Sequence, residues 1–171
     1  MKTNPFFNKP LIIAHRGASA YAPENTLPAF EKAIELGADA IELDVPLTKD
    51  EQVVVFHDYH VERTTNGTGF LLTHKLNKLK RLDAGTWFNK EFSGVRIPTL
   101  DEVFAAVGKR VLINIEFKKM PFADKLVDTV LKLIEDYKLQ DRCFITSFDP
   151  IAIAYSRVQN PHIPTGFLFD K

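Results

Sequence analysis

The chain has a single cysteine, Cys143. That excludes an intramolecular disulfide and any zinc site built from several thiolates. At the head of the apolar run Cys143-Phe144-Ile145 the thiol reads as a small core residue. A surplus of charge of either sign is missing too: Lys and Arg number 22, Asp and Glu number 22, and the formal net charge is zero. With no basic excess to neutralise phosphates, a nucleic-acid partner is not expected. Long apolar runs are also lacking. Residues 1–10 hold no signal-peptide core, and Leu11-Ile12-Ile13-Ala14 is too short to cross a bilayer. The expectation is a cytoplasmic protein without stable membrane insertion.

What is present is the composition of a globular domain, 45% hydrophobic and 26% charged over 171 residues. That suffices for one substantial core, and the chain is read as one domain, 1–171. Residues 11–14, bounded by Pro10 and Gly17, read as a buried strand ending at His15-Arg16-Gly17. Asn25 or Thr26 is placed to cap a helix with Pro28 in its first turn. Its apolar stripe is Leu27, Phe30, Ala33 and Ile34, and Gly37 stops it. A strand at 40–45 follows, so strand, helix and strand make a βαβ unit with a parallel pair. Residues 53–58 read as another apolar strand, ending in His57-Asp58.

Residues 59–99 break the rhythm. Thr64-Thr65-Asn66-Gly67-Thr68-Gly69 is turn material, and Leu72, Leu76, Leu79 and Leu82 fall at helical spacing among Lys75, Lys78, Lys80 and Arg81. That pattern reads as a solvated basic helix rather than a membrane-surface one. The whole stretch is read as an irregular insertion, of the kind that is often functional. Regularity then returns: a helix at 100–107 between Thr99 and Gly108, a strand at 111–118, a helix at 122–137, a strand at 143–148, a helix opened by Asp149-Pro150, and a last strand at 163–169. This alternation predicts an α/β architecture around a parallel sheet.

Glu42 and Asp44 stand at i and i+2 of a strand and so share a face. Acids on a buried strand are paired or hold a metal. His15 and Arg16, His57 and Asp58, and Glu116 and Lys118 also fall at the C-terminal ends of predicted parallel strands. A (β/α) barrel carries its active site at that end. Alternation groups Leu11 and Ile13 with His15, Val53 and Val55 with His57, and Asn114 and Glu116 with Lys118. Glu42, Asp44 and Glu116 form a hard oxygen set suited to one divalent cation, Ca2+ or Mg2+. Arg16 and Lys118 supply fixed positive charge for a phosphate oxyanion. His15 and His57 supply one acid and one base. Glu24 reads as an acid that offsets the dipole of the helix after it, and Asp58 as a turn residue or the orienter of a histidine. His60, His74 and His162 receive no chemistry. The set points to metal-assisted cleavage of a phosphodiester.

This ordered series resembles the glycerophosphodiester phosphodiesterase family. The match rests on His15-Arg16-Gly17, Pro23-Glu24-Asn25-Thr26, Glu42-Leu43-Asp44, His57-Asp58, Thr65-Asn66-Gly67-Thr68-Gly69 and Glu116-Phe117-Lys118, with a weaker match at Ser147-Phe148. The resemblance implies a TIM (β/α)8 barrel of the phospholipase-C-like phosphodiesterase type, with a small insertion after the second strand at 59–99. It also implies hydrolysis of a small-molecule glycerophosphodiester, such as glycerophosphocholine or glycerophosphoethanolamine, to sn-glycerol 3-phosphate and an alcohol. By position, Glu42, Asp44 and Glu116 would bind the cation, and His15 and His57 would be the acid–base pair. Arg16 and Lys118 would hold the phosphate, with Glu24 and Asp58 in support. In the family's usual account the glycerol 2-hydroxyl attacks first and water opens the resulting cyclic phosphate; direct attack by water suits this sequence equally. Pro46 and Glu51 stand where the family more often has a polar residue and a turn glycine.

A (β/α)8 barrel typically runs to ~250 residues. The chain is therefore expected to resemble a C-terminally truncated member, an incomplete barrel of about the first five βα units. Two other readings stand beside the hydrolase. One is a catalytically impaired half-barrel that needs a partner or further strands and self-associates through exposed barrel edges. The other is a related barrel phosphodiesterase of the lysophospholipase D or sphingomyelinase D type.

Overall fold

The computed structural model describes residues 9–169, so residues 1–8 of the stretch searched for a leader lie outside the described residues. In chain order the elements are β1 (Ile13–Ala14), α1 (Leu27–Glu35), β2 (Ala40–Val45), α2 (Leu76–Leu79), α3 (Leu100–Val107), β3 (Leu112–Phe117), α4 (Ala123–Asp136), β4 (Cys143–Ser147), α5 (Pro150–Gln159) and β5 (Thr165–Phe167). All strand pairs are parallel, and the spatial order β1-β2-β3-β4-β5 repeats the chain order. Each parallel neighbour needs a crossover, and α1, α3, α4 and α5 provide them. This is the winding of a (β/α) barrel over its first five strands, as expected. Among the described residues β1 and β5 each pair on one side only, and Ile12, Ile13, Phe167 and Phe169 are exposed there.

The two faces of the sheet differ because side chains alternate. Ile41, Leu43 and Val45 of β2 and Ile113, Ile115 and Phe117 of β3 pack into a core with Phe30 of α1, Val103 and Phe104 of α3, and Val127 and Val130 of α4. Full burial of each such side chain stabilises the fold by roughly 1.5–3 kcal/mol. Cys143 is buried in the same core, and burial pushes its thiol up to about 12, which makes it unreactive. The opposite parity carries the polar residues. Parallel register sets Glu42 beside Asn114 and Asp44 beside Glu116.

Local signals start the helices. At α3 the Thr99 hydroxyl accepts from the Glu102 N–H at 3.1 Å, and the Glu102 carboxylate accepts from the Thr99 N–H at 2.9 Å. At α1, Thr26 is the N-cap residue but makes no side-chain cap bond, and Pro28 lies in the first turn. Glu51 is held at φ 59°. A left-handed non-glycine residue costs roughly 1–2 kcal/mol. Lys125 pairs with its carboxylate.

Three expectations are corrected. The strand expected to be buried at 11–14 is only Ile13–Ala14 and, among the described residues, pairs on one side, which leaves Ile12 and Ile13 exposed. Residues 53–58 are not a strand of the sheet. Isolated antiparallel bridges, Leu47 to Val53 and Val54 to Thr99, hold the run, and the Phe56 N–H donates to the Asp44 carbonyl at 2.9 Å. Val53 and Val55 pack into the main core, whereas Val54 and Phe56 pack into a second core with Val61, Leu71, Leu79, Ala84 and Ile97. A run buried on both faces is apolar throughout and mimics a parallel-sheet strand. The connection from β2 to α3 is thus one irregular segment, 46–99, that contains both this run and the residues 59–99 expected as an insertion. The basic helix expected across Leu72–Leu82 also breaks, into a 3-10 turn at Leu71–Thr73 and the four-residue α2. Lys80 is drawn away to Glu102 and the Ile97 carbonyl. Among the described residues no helix is long and apolar enough to cross a membrane.

Candidate active site

Turns of unusual backbone geometry bring the chemistry together. After β1, Arg16 and Gly17 are both left-handed, at φ 57° and 79°. A Cβ on Gly17 would lie 2.8 Å from the backbone carbon of Ala29, so only glycine fits. The turn points the Arg16 N–H at Glu42 Oε2, 2.8 Å away. Asn25 is left-handed as well, at φ 56°. Instead of capping α1, its amide donates to Asp44 Oδ2 at 2.8 Å. The fold-back at 53–58 places His57 against the same cavity, because the Phe56 N–H is anchored on the Asp44 carbonyl near the C-terminal end of β2.

That cavity, about 410 Å³, lies at the C-terminal ends of the strands. His15, Arg16, Glu42, His57, Glu116 and Lys118 line it, together with Asn114, Thr146, Phe148 and Leu168. Oxygens of Glu42, Asp44 and Glu116 lie within 4.8 Å of one another. Lys118 Nζ is 3.1 Å from Glu116 Oε1 and 3.4 Å from Asp44 Oδ1. Arg16 Nε is 3.6 Å from Asp44 Oδ2, and its Nη1 donates to Glu24 Oε1 at 3.0 Å. His15 Nε2 is 3.9 Å from Glu42 Oε2, while His57 Nδ1 is 2.5 Å from Asp58 Oδ1.

The electrostatics follow from this crowding. Burial, then the charge of Asp44, raises Glu42 to about 8, against the pull of the Arg16 N–H. Burial would lower Lys118, yet the charges of Asp44 and Glu116 outweigh it and its pKa is raised. Burial would raise Asp58, but hydrogen bonds from Arg63 and His57 bring it down to about 2. Glu42 Oε1 and Arg16 Nε are buried without a hydrogen-bond partner. An orphaned carboxylate oxygen beside two further acids is the donor set that a hard divalent cation satisfies, so the residues fit such an ion.

All nine residues singled out in the sequence gather here, though Asp44, Glu24 and Asp58 stand back from the cavity wall. Glu24 is not a dipole-offsetting acid: it lies before α1 and pairs with Arg16 and Arg63. The sequence reading missed three contributors. Asn25 holds Asp44, Thr146 donates to Asn114 Oδ1 at 3.1 Å, and Arg63 bridges Glu24 and Asp58. Asn25 and the turn after Arg63 both lay in quoted motifs, where they signalled only local turns.

Residues 15–171 match the Glycerophosphoryl diester phosphodiesterase family. The chain belongs to that family. A glycerophosphodiester phosphodiesterase of Caldanaerobacter subterraneus subsp. tengcongensis is 47% identical over 163 residues, covering 94% of this chain and 67% of that protein. The putative glycerophosphodiester phosphodiesterase YhdW of Bacillus subtilis is 45% identical, covering 92% of this chain and 65% of that protein. Among solved structures, a phosphodiesterase of Oleispira antarctica in complex with the product sn-glycerol-3-phosphate superposes with a TM-score of 0.89 at 34% identity. It covers 92% of this chain and 65% of that one. The chain thus spans about two thirds of the length of these glycerophosphoryl diester phosphodiesterase relatives. The shared fold agrees with a partial barrel of this family.

Proposed function

We propose that this site hydrolyses small glycerophosphodiesters, such as glycerophosphocholine and glycerophosphoethanolamine, to sn-glycerol 3-phosphate and an alcohol. One divalent cation, Ca2+ or Mg2+, would be held by Glu42, Asp44 and Glu116. The observation that carries the reading is the cluster of these three carboxylates, with Asp44 buried behind Glu42 and Glu116, at a cavity that two cations and two imidazoles also line. The names of the relatives and the product held by the Oleispira structure support it.

When bound, the cation supplies Lewis-acid charge that polarises the phosphoryl group and offsets the negative charge building on phosphorus. The chain's own residues do the rest. Arg16 and Lys118 border the cavity with their charges already oriented by Glu24, Asp44 and Glu116, so they meet phosphate oxygens with little reorganisation. Asp58 is ionised and can only accept, so the proton between it and His57 sits on Nδ1. That leaves His57 Nε2 to exchange a proton with substrate. His15, at the end of β1, is the second proton carrier. One histidine takes the proton of the attacking hydroxyl, and the other delivers one to the leaving alkoxide.

The product distinguishes this reading from its neighbours. Purified chain incubated with Ca2+ or Mg2+ and glycerophosphocholine is expected to release sn-glycerol 3-phosphate, measured with a coupled dehydrogenase. Lysophosphatidylcholine and sphingomyelin run in parallel are expected to give far less product. Turnover of the lipids alone would favour the lysophospholipase D or sphingomyelinase D reading. No product from any of the three would overturn the activity.

A further inference from the structure

We infer that Arg63 is a positioning residue that locks His57 and Arg16 into one frame, acting through Asp58 and Glu24. This rests on the roles proposed above for His57 and Arg16. The guanidinium forks onto two carboxylates at once. Its Nε and Nη2 donate to Asp58 at 2.5 and 3.0 Å, and its Nη1 and Nη2 donate to Glu24 at 2.9 and 2.7 Å. Each carboxylate then reaches one group of the cavity. Asp58 Oδ1 meets His57 Nδ1 at 2.5 Å, and Glu24 Oε1 accepts from Arg16 Nη1 at 3.0 Å.

The connectivity explains why such a clamp is needed. Glu24 and Arg16 come from the loop between β1 and α1, whereas Asp58 and His57 come from the irregular 46–99 connection. These are separate segments that present two anions to each other. Without a cation between them Glu24 and Asp58 repel, and both segments can swing. Only a planar group with donors on two edges satisfies both carboxylates in fixed geometry, and a lysine cannot. An ion pair as exposed as Arg63, at 45%, adds little to stability. Its effect is therefore expected in geometry rather than in melting.

The base of the clamp is the Thr-Thr-Asn-Gly turn, which carried no chemistry in the sequence. Thr64 and Thr65 are buried. The Thr65 hydroxyl donates to the Val61 carbonyl at 2.6 Å and accepts from the Gly67 N–H at 3.0 Å. Asn66 exchanges bonds with Asp83, its N–H donating to the Asp83 carbonyl and its Oδ1 accepting from the Asp83 N–H. A Cβ at Gly67 would lie 2.6 Å from a methyl of Leu82, so the turn sits close against the second core. Arg63 is thus projected from a fixed backbone.

The test compares wild type with Arg63→Met and Arg63→Lys. For glycerophosphodiester turnover, Arg63→Met is expected to lower kcat and raise KM, with kcat/KM down roughly 10–100-fold, the range seen when a partner behind a functional ligand is lost. Arg63→Lys keeps the charge but is expected to restore less than half of that loss. The ring-nitrogen NMR shifts of His57 give a readout that needs no turnover. Wild type is expected to show the single tautomer protonated at Nδ1, and both variants a mixture. Unchanged His57 shifts in the variants would overturn the clamp, even if their melting temperature fell. If Arg63→Met does not fold, the shifts of Arg63→Lys decide. If wild type turns over no glycerophosphodiester, the activity reading fails and the shifts alone decide the clamp.

Discussion

Alanine at His57 is expected to lower kcat for glycerophosphocholine by roughly 10²–10⁴-fold, the contribution of one positioned proton-transfer group, with little change in KM. His57 borders the cavity with Nδ1 committed to Asp58, so its free nitrogen faces substrate while its side chain, 31% exposed, supports little of the core. The melting temperature should therefore barely move. Steady-state kinetics alongside His15→Ala extend the test. An aryl phosphodiester has a leaving group that needs no proton, so one histidine variant, and only one, should recover on it. A fall in kcat of less than about tenfold for His57→Ala, or recovery of both variants, would contradict an acid–base pair.

The second large effect concerns Glu42 and has opposite signs with and without cation. In the cation-free chain the folded state holds the Glu42 proton up to about 8, against 4.5 for an ordinary glutamate. A raised acid contributes stability that is fully present below its unfolded pKa and is lost as pH rises through the folded one. Glutamine at this position never ionises. With chelator present, Glu42→Gln is therefore expected to be more stable than wild type by a few kcal/mol at about pH 9, with the gap closing near pH 4.5. With saturating Ca2+ or Mg2+ the order reverses at high pH, because ligand binding stabilises only the chain that retains its carboxylate set. Urea denaturation at both pH values, with and without cation, measures all four corners. A variant no more stable than wild type in chelator at high pH would mean that burial and the charge of Asp44 do not hold the proton on Glu42.

Much of this site was legible in the sequence because strand parity is a strong constraint. Glu42 and Asp44, and Asn114 and Glu116, alternate against core residues, so their common face follows from spacing alone, and the register of β2 with β3 brings them side by side. The helix α3 was equally legible, since Thr99 and Glu102 form a reciprocal cap within one turn. The run at 53–58 misled because Val54 and Phe56 bury against a second core that no local pattern announces. Its alternation still grouped His57 with Val53 and Val55, and His57 lines the cavity although the element it was assigned to is not a strand.

What could not be read were side chains on turns. The direction of Asn25 depends on a left-handed backbone, and that of Arg63 on a turn docked through Asp83 and Leu82. Neither has a periodicity. Both act on residues far away in sequence, Asn25 on Asp44 and Arg63 on Glu24. Such pairings appear only once the barrel has brought its loops to one end.

Cation dependence of turnover is the most direct measurement. Wild-type chain stripped with chelator and given glycerophosphocholine is expected to release no sn-glycerol 3-phosphate above background. Release should return on adding Ca2+ or Mg2+, saturating at one bound cation per chain, and should not return in Glu116→Gln. Undiminished release after exhaustive chelation would contradict a cation held by Glu42, Asp44 and Glu116 as the centre of this chemistry.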